Sequence, residues 1–434
     1  MRVFMAGLGV TGAAVVRALT AGGDTVIAYD DAAGGPDRAA ALDVELVGTD
    51  DASVKAAVAS SDLVVVTPGL PPDHPVATMA RAAGIPVVGD IELAARRTTT
   101  PLVAVTGTNG KSTITQLITD MLNASGRRAI AAGNIGVALI EAIDQPADVY
   151  VVEVSSQQLF STQSFRPAVA VWSNLSPDHL DWHPSIEHYI AAKTRIWANQ
   201  GPGDIAVVNA EDPVVMRAAS TAPGRVVTFG KGGDARVENG RIVGLGDVDL
   251  GATAALARPF PHDVANALAA SAAALLAGAT PEGTRAALRD FRGLPHRIEL
   301  VGHIGGVAYY DDSKATTPAS VVTALRSFPS AVLIAGGKNK GLDLSPLADA
   351  AEHIRAVVAI GSAAEDVAAV FDGVRQVVRA DSMDAAVEAA AGLARPEDVV
   401  LLSPACTSWD AYSDYAARGD DFARAVHAKQ AAVA

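Results

Sequence analysis

A single cysteine, Cys406, stands among 434 residues, so neither an intramolecular disulfide framework nor a cysteine-built zinc site is available. Aromatic residues make up only 5% of the chain. No apolar stretch reaches the length that spans a bilayer; the Ala-rich run 265–279 is broken by Asn266 and Ser271. Basic residues are scarce, 34 Lys and Arg against 48 Asp and Glu, for a formal net charge of −14. Gripping a nucleic-acid backbone needs a compensating Lys/Arg surface, so no such partner is expected. Nucleotides remain open, since one locally positive loop suffices for them. Residues 1–6 run straight into a glycine loop, which predicts no signal peptide. Half of the residues are apolar and 19% charged, the composition of a soluble, cytoplasmic globular protein with no membrane partner.

What is present is an alternation. Short apolar runs and longer Ala-rich segments succeed each other almost throughout, which reads as β-α-β units around parallel sheets. Strands are expected at 3–6, 25–29 and 63–67, then at 102–105, 149–154, 169–172 and 205–208. A last set falls at 307–310, 332–335, 357–360 and 399–402, with a helix at 383–394. The polar run 96–101 and the stretch 293–297 read as connections. The length exceeds what one hydrophobic core organises. The prediction is an α/β protein of three domains, at 1–96, 97–295 and 296–434.

The densest motif is Gly107-Thr108-Asn109-Gly110-Lys111-Ser112-Thr113, set between an apolar strand and a helix with Ile114, Leu117, Ile118 and Met121 on its apolar face. That order brings backbone N–H groups and a helix N-terminus onto one anion. Lys111 adds a mobile charge for the outer phosphates of ATP, and Ser112 or Thr113 a hydroxyl for Mg²⁺. The general phosphate-loop pattern has glycine at position 105, where Val105 stands, so this is a shorter variant. An ordinary glycine-rich turn before a helix is the alternative.

Glu153 ends the apolar run Val149-Tyr150-Val151-Val152, where ligands bind in open α/β sheets. Taken alone it reads as a solvated strand-end acid; beside a phosphate loop in the same domain, a place on Mg²⁺, a hard cation that takes oxygen ligands, is the favoured reading. The segment 175–183 is dense in possible ligands but fits no zinc spacing. A place for His179 near the nucleotide metal is expected, while Asp178 and His183 read as polar loop residues. Lys193 alone reads as a surface lysine on a helix.

Three polar loops follow strands in the last third of the chain, at 311–317, 336–340 and 403–410. Their common position predicts one crevice, and their lysines and hydroxyls suit a small carboxylate-bearing substrate. At the other end, Gly7-Leu8-Gly9-Val10-Thr11-Gly12 matches the dinucleotide fingerprint, with Asp30 closing the second strand. Alone it suggests a nicotinamide oxidoreductase, yet no hydride-transfer apparatus is legible downstream. Another pyrophosphate, or a tight strand–helix turn, serves as well. Asp30 either contacts that ligand or is a solvated strand end.

Together these segments resemble the Mur ligases, amide-forming enzymes of bacterial cell-wall synthesis. The resemblance runs end to end. It is carried by residues 106–113, Gly133-Asn134-Ile135-Gly136, Glu153-Val154-Ser155-Ser156, Asp178-His179, Lys193 after two alanines, 262–266, 293–297, Asp312-Ser313-Lys314-Ala315-Thr316 and Ser403-Pro404-Ala405-Cys406. It implies a Rossmann-like N-terminal domain, a central P-loop ATPase-like domain and a Rossmann-like C-terminal domain. The implied activity is ATP-dependent addition of D-glutamate to UDP-N-acetylmuramoyl-L-alanine through an acyl phosphate, by a monomer, in peptidoglycan precursor synthesis. By the same resemblance Val10, Thr11, Asp30, Gly69 and Asn134 hold the muramoyl nucleotide. ATP falls to residues 107–113, Asn266, Arg297 and Asp312. Mg²⁺ falls to Ser112, Glu153, His179 and Lys193, the last at the position that carries a carbamate. Lys111, His179 and Lys193 are the implied catalytic set. Thr316, Lys340, Ser408 and Tyr415 match the D-glutamate positions.

The chain departs from the family pattern in places. Ala32 stands where a basic residue often follows the first-domain acid, Tyr415 replaces Phe, and Asp263 replaces Asn. A sister ligase adding another amino acid is the nearest alternative. A nucleotide-regulated binding protein and a nicotinamide oxidoreductase lie further off.

Overall fold

The computed structural model describes residues 1–433. Most of its longer strands are β-branched or Ala-rich apolar runs, and many are stopped by glycine, proline or a polar pair. The first sheet holds β1 (Arg2–Ala6), β2 (Thr25–Tyr29), β3 (Glu45–Leu46), β4 (Leu63–Val66) and β5 (Val87–Gly89). All pair in parallel, in the order β3-β2-β1-β4-β5.

The second sheet holds β6 (Leu102–Thr106), β7 (Ala129–Gly133), β8 (Val149–Glu153), β9 (Val169–Trp172), β10 (Ile205–Asn209) and β11 (Arg225–Phe229). It too is parallel, in the order β11-β10-β9-β6-β8-β7. Its pleat sorts side chains cleanly. Val103, Val105, Val151 and Val171 face one apolar layer, while Leu102, Ala104, Val152 and Trp172 face the other. Burial on both faces is why these strands read as unbroken apolar runs. A small antiparallel meander follows, β12 (Arg236–Glu238), β13 (Arg241–Val243) and β14 (Asp249–Ala252).

The third sheet holds β15 (Glu299–Ile304), β16 (Val307–Asp311), β17 (Ala331–Gly336), β18 (Ile354–Ile360), β19 (Gln376–Ala380) and β20 (Val399–Ala405). Its order is β15-β16-β20-β17-β18-β19, with β15 antiparallel to β16 and the rest parallel. Leu333, Val357 and Leu401 point to one core, and Val332, Val358 and Val400 to the other.

The chain forms two compact units, Met1–Pro259 with Asp263–Phe291, and Phe260–His262 with Arg292–Ala434. The first unit contains two of the large sheets because a single apolar layer serves both. Leu19, Ile91 and Leu93 pack in the same cluster as Leu139, Tyr150 and Trp172. A buried carboxylate adds a polar pin. Glu92, with no exposed surface, accepts hydrogen bonds from the N–H groups of Gln163, Ser164 and Phe165 and from Ser164 Oγ, at 2.6–3.0 Å.

Candidate active site

In the second sheet β6 lies between β8 and β9, so the chain changes direction across it and leaves a crevice at the carboxyl ends. The loop after β6 occupies that point. Gly107 has φ +148° and Gly110 φ +84°, and a Cβ on them would sit 2.0 Å from Ser173 Oγ and 2.4 Å from Asn266 Oδ1. No residue but glycine lets those side chains close so tightly on the loop. Neighbouring polar groups hold its shape. Thr108 N–H donates to Asn174 O at 3.0 Å, Asn109 N–H to Asn174 Oδ1 at 2.9 Å, and Ser173 Oγ to Asn109 O at 2.7 Å. Lys111 Nζ donates to the carbonyls of Gly107 and Thr108 at 3.0 and 2.9 Å. The helix Lys111–Ala124 starts there, with Ser112 and Thr113 buried in its first turn. Its amide end favours an anion.

Glu153 pairs in register with Val105 of β6 and Gly133 of β7, which brings it beside the loop. It is 2% exposed, which rules out a solvated strand end. Asn134 Nδ2 donates to its Oε1 at 2.8 Å, and its buried Oε2 has no hydrogen-bond partner among the described residues. A buried carboxylate oxygen without a donor is costly unless a cation answers it. An oxygen-preferring metal fits that arrangement, with the Ser112 hydroxyl at the start of the adjacent helix.

Lys193 is 1% exposed, not the surface lysine that its helix suggests. Its Nζ donates to Gly107 O at 2.8 Å and lies 4.7 Å over the Tyr189 ring. Burial, reinforced by the Lys111 charge, holds its ammonium well below the ordinary lysine range. His179 adopts φ +53° with an exposed side chain beside Asp178. Desolvation lowers its imidazole, with Asp178 opposing and Lys111 and Lys193 adding to the effect. His183 departs from the expectation of a polar loop residue. It is fully buried, its Nδ1 2.8 Å from His188 Nδ1 and its Nε2 2.9 Å from Ser156 Oγ.

In the first sheet the fingerprint loop follows β1. Val10 is 90% exposed at the start of the helix Val10–Ala21, with Thr11 half-buried beside it, and Gly69 lies in the loop after β4. Asp30 is buried. Its carboxylate accepts from Leu8 N–H at 2.8 Å and Ala32 N–H at 3.0 Å, and is forked by Arg38 at 2.9–3.2 Å. Burial raises its pKa, but these donors outweigh it and keep the carboxyl below the usual range. Both oxygens are thus committed to shaping the loop, where a dinucleotide ribose would need an acceptor. Arg38 was not legible in the sequence, since an arginine on the Ala-rich helix Gly35–Ala41 looks like a solvated face.

The second unit gathers its own group. Asp312 is buried, accepts from Ser403 Oγ at 2.7 Å, and is pushed up to about 7 by burial. Arg297 precedes Ile298, whose N–H also reaches Asp312 at 3.3 Å. Thr316 follows β16, Lys340 follows β17, Ser408 follows β20, and Tyr415 opens the helix Tyr415–Val433. Lys340 Nζ lies 3.7 Å over the Trp409 ring, and Lys314 Nζ 5.1 Å over that of Tyr415. Arg418, 1% exposed, donates to Ser313 Oγ and O and to Cys406 O at 2.8–3.1 Å, tying the loop after β16 to the loop after β20. A helical arginine gives no such signal in sequence. Among the described residues one His/Asp/Glu group has its ligand atoms within 4.8 Å of one another, His296, Glu299 and Asp311, none of which is an expected magnesium ligand. His296 Nδ1 and Asp311 Oδ2 there are hydrogen-bonded at 2.7 Å.

Three family profiles match in series. One described as the Mur ligase MurD-like N-terminal domain covers residues 1–89, the Mur ligase middle domain covers 105–274, and the Mur ligase glutamate ligase domain covers 296–406. A UDP-N-acetylmuramoylalanine–D-glutamate ligase of Desulfosudis oleivorans is 42% identical over 98% of this chain and 96% of its own. One of Frankia casuarinae is 43% identical over 99% and 94%. Among solved structures, the UDP-N-acetylmuramate-alanine ligase MurC of Thermotoga maritima has a TM-score of 0.62 at 20% identity, covering 99% of this chain and 100% of its own. The MurF ligase of the same organism, solved with ADP, has a TM-score of 0.62 at 18% identity, covering 98% and 95%. The fold is therefore that of the three-domain ligases, with Rossmann-like ends around an ATPase-like centre. The chain belongs to the Mur ligase family, in the branch formed by the UDP-N-acetylmuramoylalanine–D-glutamate ligases.

Proposed function

We propose that this protein is the ATP-dependent ligase that joins D-glutamate to UDP-N-acetylmuramoyl-L-alanine in peptidoglycan precursor synthesis. The observation that carries the reading is the group around the loop after β6, where Lys111, the half-answered Glu153 and the buried Lys193 converge. A carboxylate resists amine attack because oxide is a poor leaving group. An L-alanyl carboxylate oxygen therefore attacks the γ-phosphorus of ATP, the bond to the bridging oxygen breaks, and ADP leaves. The unprotonated amine of D-glutamate then attacks the acyl carbon. The carbon–oxygen bond breaks, inorganic phosphate departs with the electron pair, and the amine sheds its proton to leave an amide.

The loop Gly107, Thr108, Asn109, Gly110 and Thr113 cradles the phosphates, and Lys111 neutralises charge growing on the transferred group. Asn266, Arg297 and Asp312 bind the rest of the nucleotide. Ser112, Glu153, His179 and Lys193 hold Mg²⁺, which when bound shields the phosphoryl oxygens from the incoming carboxylate. Burial, which lowers its pKa, favours the neutral amine of Lys193, the form that adds CO₂ to give a carbamate and a proton. Isotope-labelled bicarbonate with NMR detection reads that adduct; its absence at neutral pH would remove Lys193 from the metal set. Val10, Thr11, Gly69 and Asn134 hold the muramoyl nucleotide, while Asp30, fixed by Arg38, shapes the loop against it. Thr316, Lys340, Ser408 and Tyr415 hold D-glutamate.

Among the described residues no helix is long and apolar enough to cross a membrane, in keeping with a cytoplasmic enzyme that we take to be monomeric. The decisive test is phosphate release with each substrate omitted in turn. Release should need ATP, the muramoyl nucleotide and D-glutamate together. Equal turnover with L-lysine or meso-diaminopimelate would move the protein to a sister activity.

A further inference from the structure

Trp409 is a large apolar side chain that does no work in the core: it is 59% exposed in the loop after β20. Its ring instead meets Lys340 Nζ at 3.7 Å from the ring centre. Both side chains stand on loops that are fastened together. Lys338 N–H donates to Thr407 O at 2.8 Å, Thr407 N–H donates back to Lys338 O at 3.1 Å, and Thr407 Oγ1 adds a third bond at 2.9 Å. The approach is possible because Gly337 has no side chain; a Cβ there would lie 2.3 Å from Thr407 O. The Lys340 loop is stiffened further by Asn339, whose amide donates to Leu342 O at 3.0 Å and accepts from Leu342 N–H at 2.8 Å. Asp410, the next residue after Trp409, accepts from Ser362 N–H at 2.8 Å and anchors the other loop. The backbone is thus rigid on both sides of one long, exposed lysine.

An exposed lysine ordinarily samples many rotamers, and fixing it on a ligand costs that freedom. An aromatic face confines the ammonium before any ligand arrives while leaving its outer hemisphere open. We infer that Trp409 is a positioning residue for the amino-acid substrate, holding the Lys340 ammonium at the place where a carboxylate of D-glutamate is bound. The inference rests on the assignment of Lys340 to that substrate. It adds a residue that acts only through Lys340 and therefore governs affinity for the acid more than turnover.

The test is steady-state kinetics on the full-length enzyme with Trp409→Phe, Trp409→Leu, Lys340→Ala and the Lys340→Ala pairing with Trp409→Leu. Trp409→Leu keeps apolar bulk and removes the ring face, so KM for D-glutamate should rise about two- to fivefold. KM for ATP and for the muramoyl nucleotide should not follow. Trp409→Phe, with a weaker face, should fall between wild type and Trp409→Leu. On the Lys340→Ala background the Trp409→Leu effect should vanish. An unchanged KM in Trp409→Leu, or the same increment with and without Lys340, overturns the inference while wild-type turnover with D-glutamate leaves the assigned activity standing. Failure of the wild-type enzyme to use D-glutamate overturns both. A shared loss of thermal stability and kcat in the two Trp409 variants, with no selective change for D-glutamate, also overturns it.

Discussion

Lys111, which the proposed function sets against the phosphates, braces its own loop by bonding Gly107 O and Thr108 O. Lys111→Ala should lower kcat by about 10²–10⁴, the scale for loss of a group that meets charge arising in the transition state. Near-normal ATP-dependent turnover in that variant would withdraw the loop from catalysis. Asp312 gives a second residue-scale outcome. Burial lifts its carboxyl from 3.8 to about 7, so folding favours the protonated form. Its contribution to stability is complete below pH 3.8 and is lost as pH rises through about 7. Asp312→Asn keeps the shape without the charge. Its thermal midpoint should exceed wild type at pH 8 and converge with it near pH 4; a constant difference across that range would show that Asp312 titrates normally.

At this scale the sequence was uneven in what it disclosed. Lys111 and Glu153 were legible because each follows an apolar strand, where a charge has no structural errand. Lys193, Arg38 and Arg418 were not, since they ride on helices, where a charge normally faces water. Their burial comes from tertiary packing, which no local pattern carries. Lys193 could be placed only through the family resemblance.

The same contrast holds for whole elements. Among strands buried on both faces, β4 with Leu63-Val64-Val65-Val66 was predicted within a residue of its position, while β18 begins three residues before its expected start and β20 ends three residues after its expected end. Among the overlooked ones are the short β3 and β5, the meander β12–β14 and the edge strand β11, and also β7, whose Ala-Ile-Ala-Ala-Gly has little β preference, and the edge strands β15 and β19, where one side meets solvent and polar residues interrupt the run. The pin between the sheets of the first unit was hidden as well. Glu92 sits on a short helix, Asp90–Ala95, and reads as a solvated acid. Glu92→Ala would take the acceptor from three N–H groups, of which that of Phe165 is buried, and should cost about 1–3 kcal/mol in urea unfolding. Burial opposes its ionisation, but bonds from Gln163 and Ser164 outweigh it and lower the pKa. Its contribution is therefore present above 4.5 and lost as pH falls below that value. A loss under 1 kcal/mol in Glu92→Ala would mean that the apolar layer alone joins the two sheets.

For the molecule as a whole, the separate cores of the two units bear on how it melts. Each has apolar layers on both faces of its sheets, and the second unit's cores draw on residues 260 and 298–426 alone. Such a chain is not bound to unfold in one step. Calorimetry should give a total enthalpy larger than the van't Hoff value, with two transitions. A single transition with matching enthalpies would require that neither unit persists without the other.

One feature of the phosphate loop reaches beyond catalysis. Because the Lys111 ammonium is already bonded to two carbonyls of its own loop, an arriving phosphate exchanges partners with them instead of capturing a solvated ion. Affinity then measures a difference between two sets of bonds, and only a nucleotide long enough to reach the ammonium can release the latch. The loop becomes a counter of phosphates. Removing the ammonium with Lys111→Ala should flatten the affinity gap between AMP and ATP in titration calorimetry, and an undiminished gap would place the counting elsewhere.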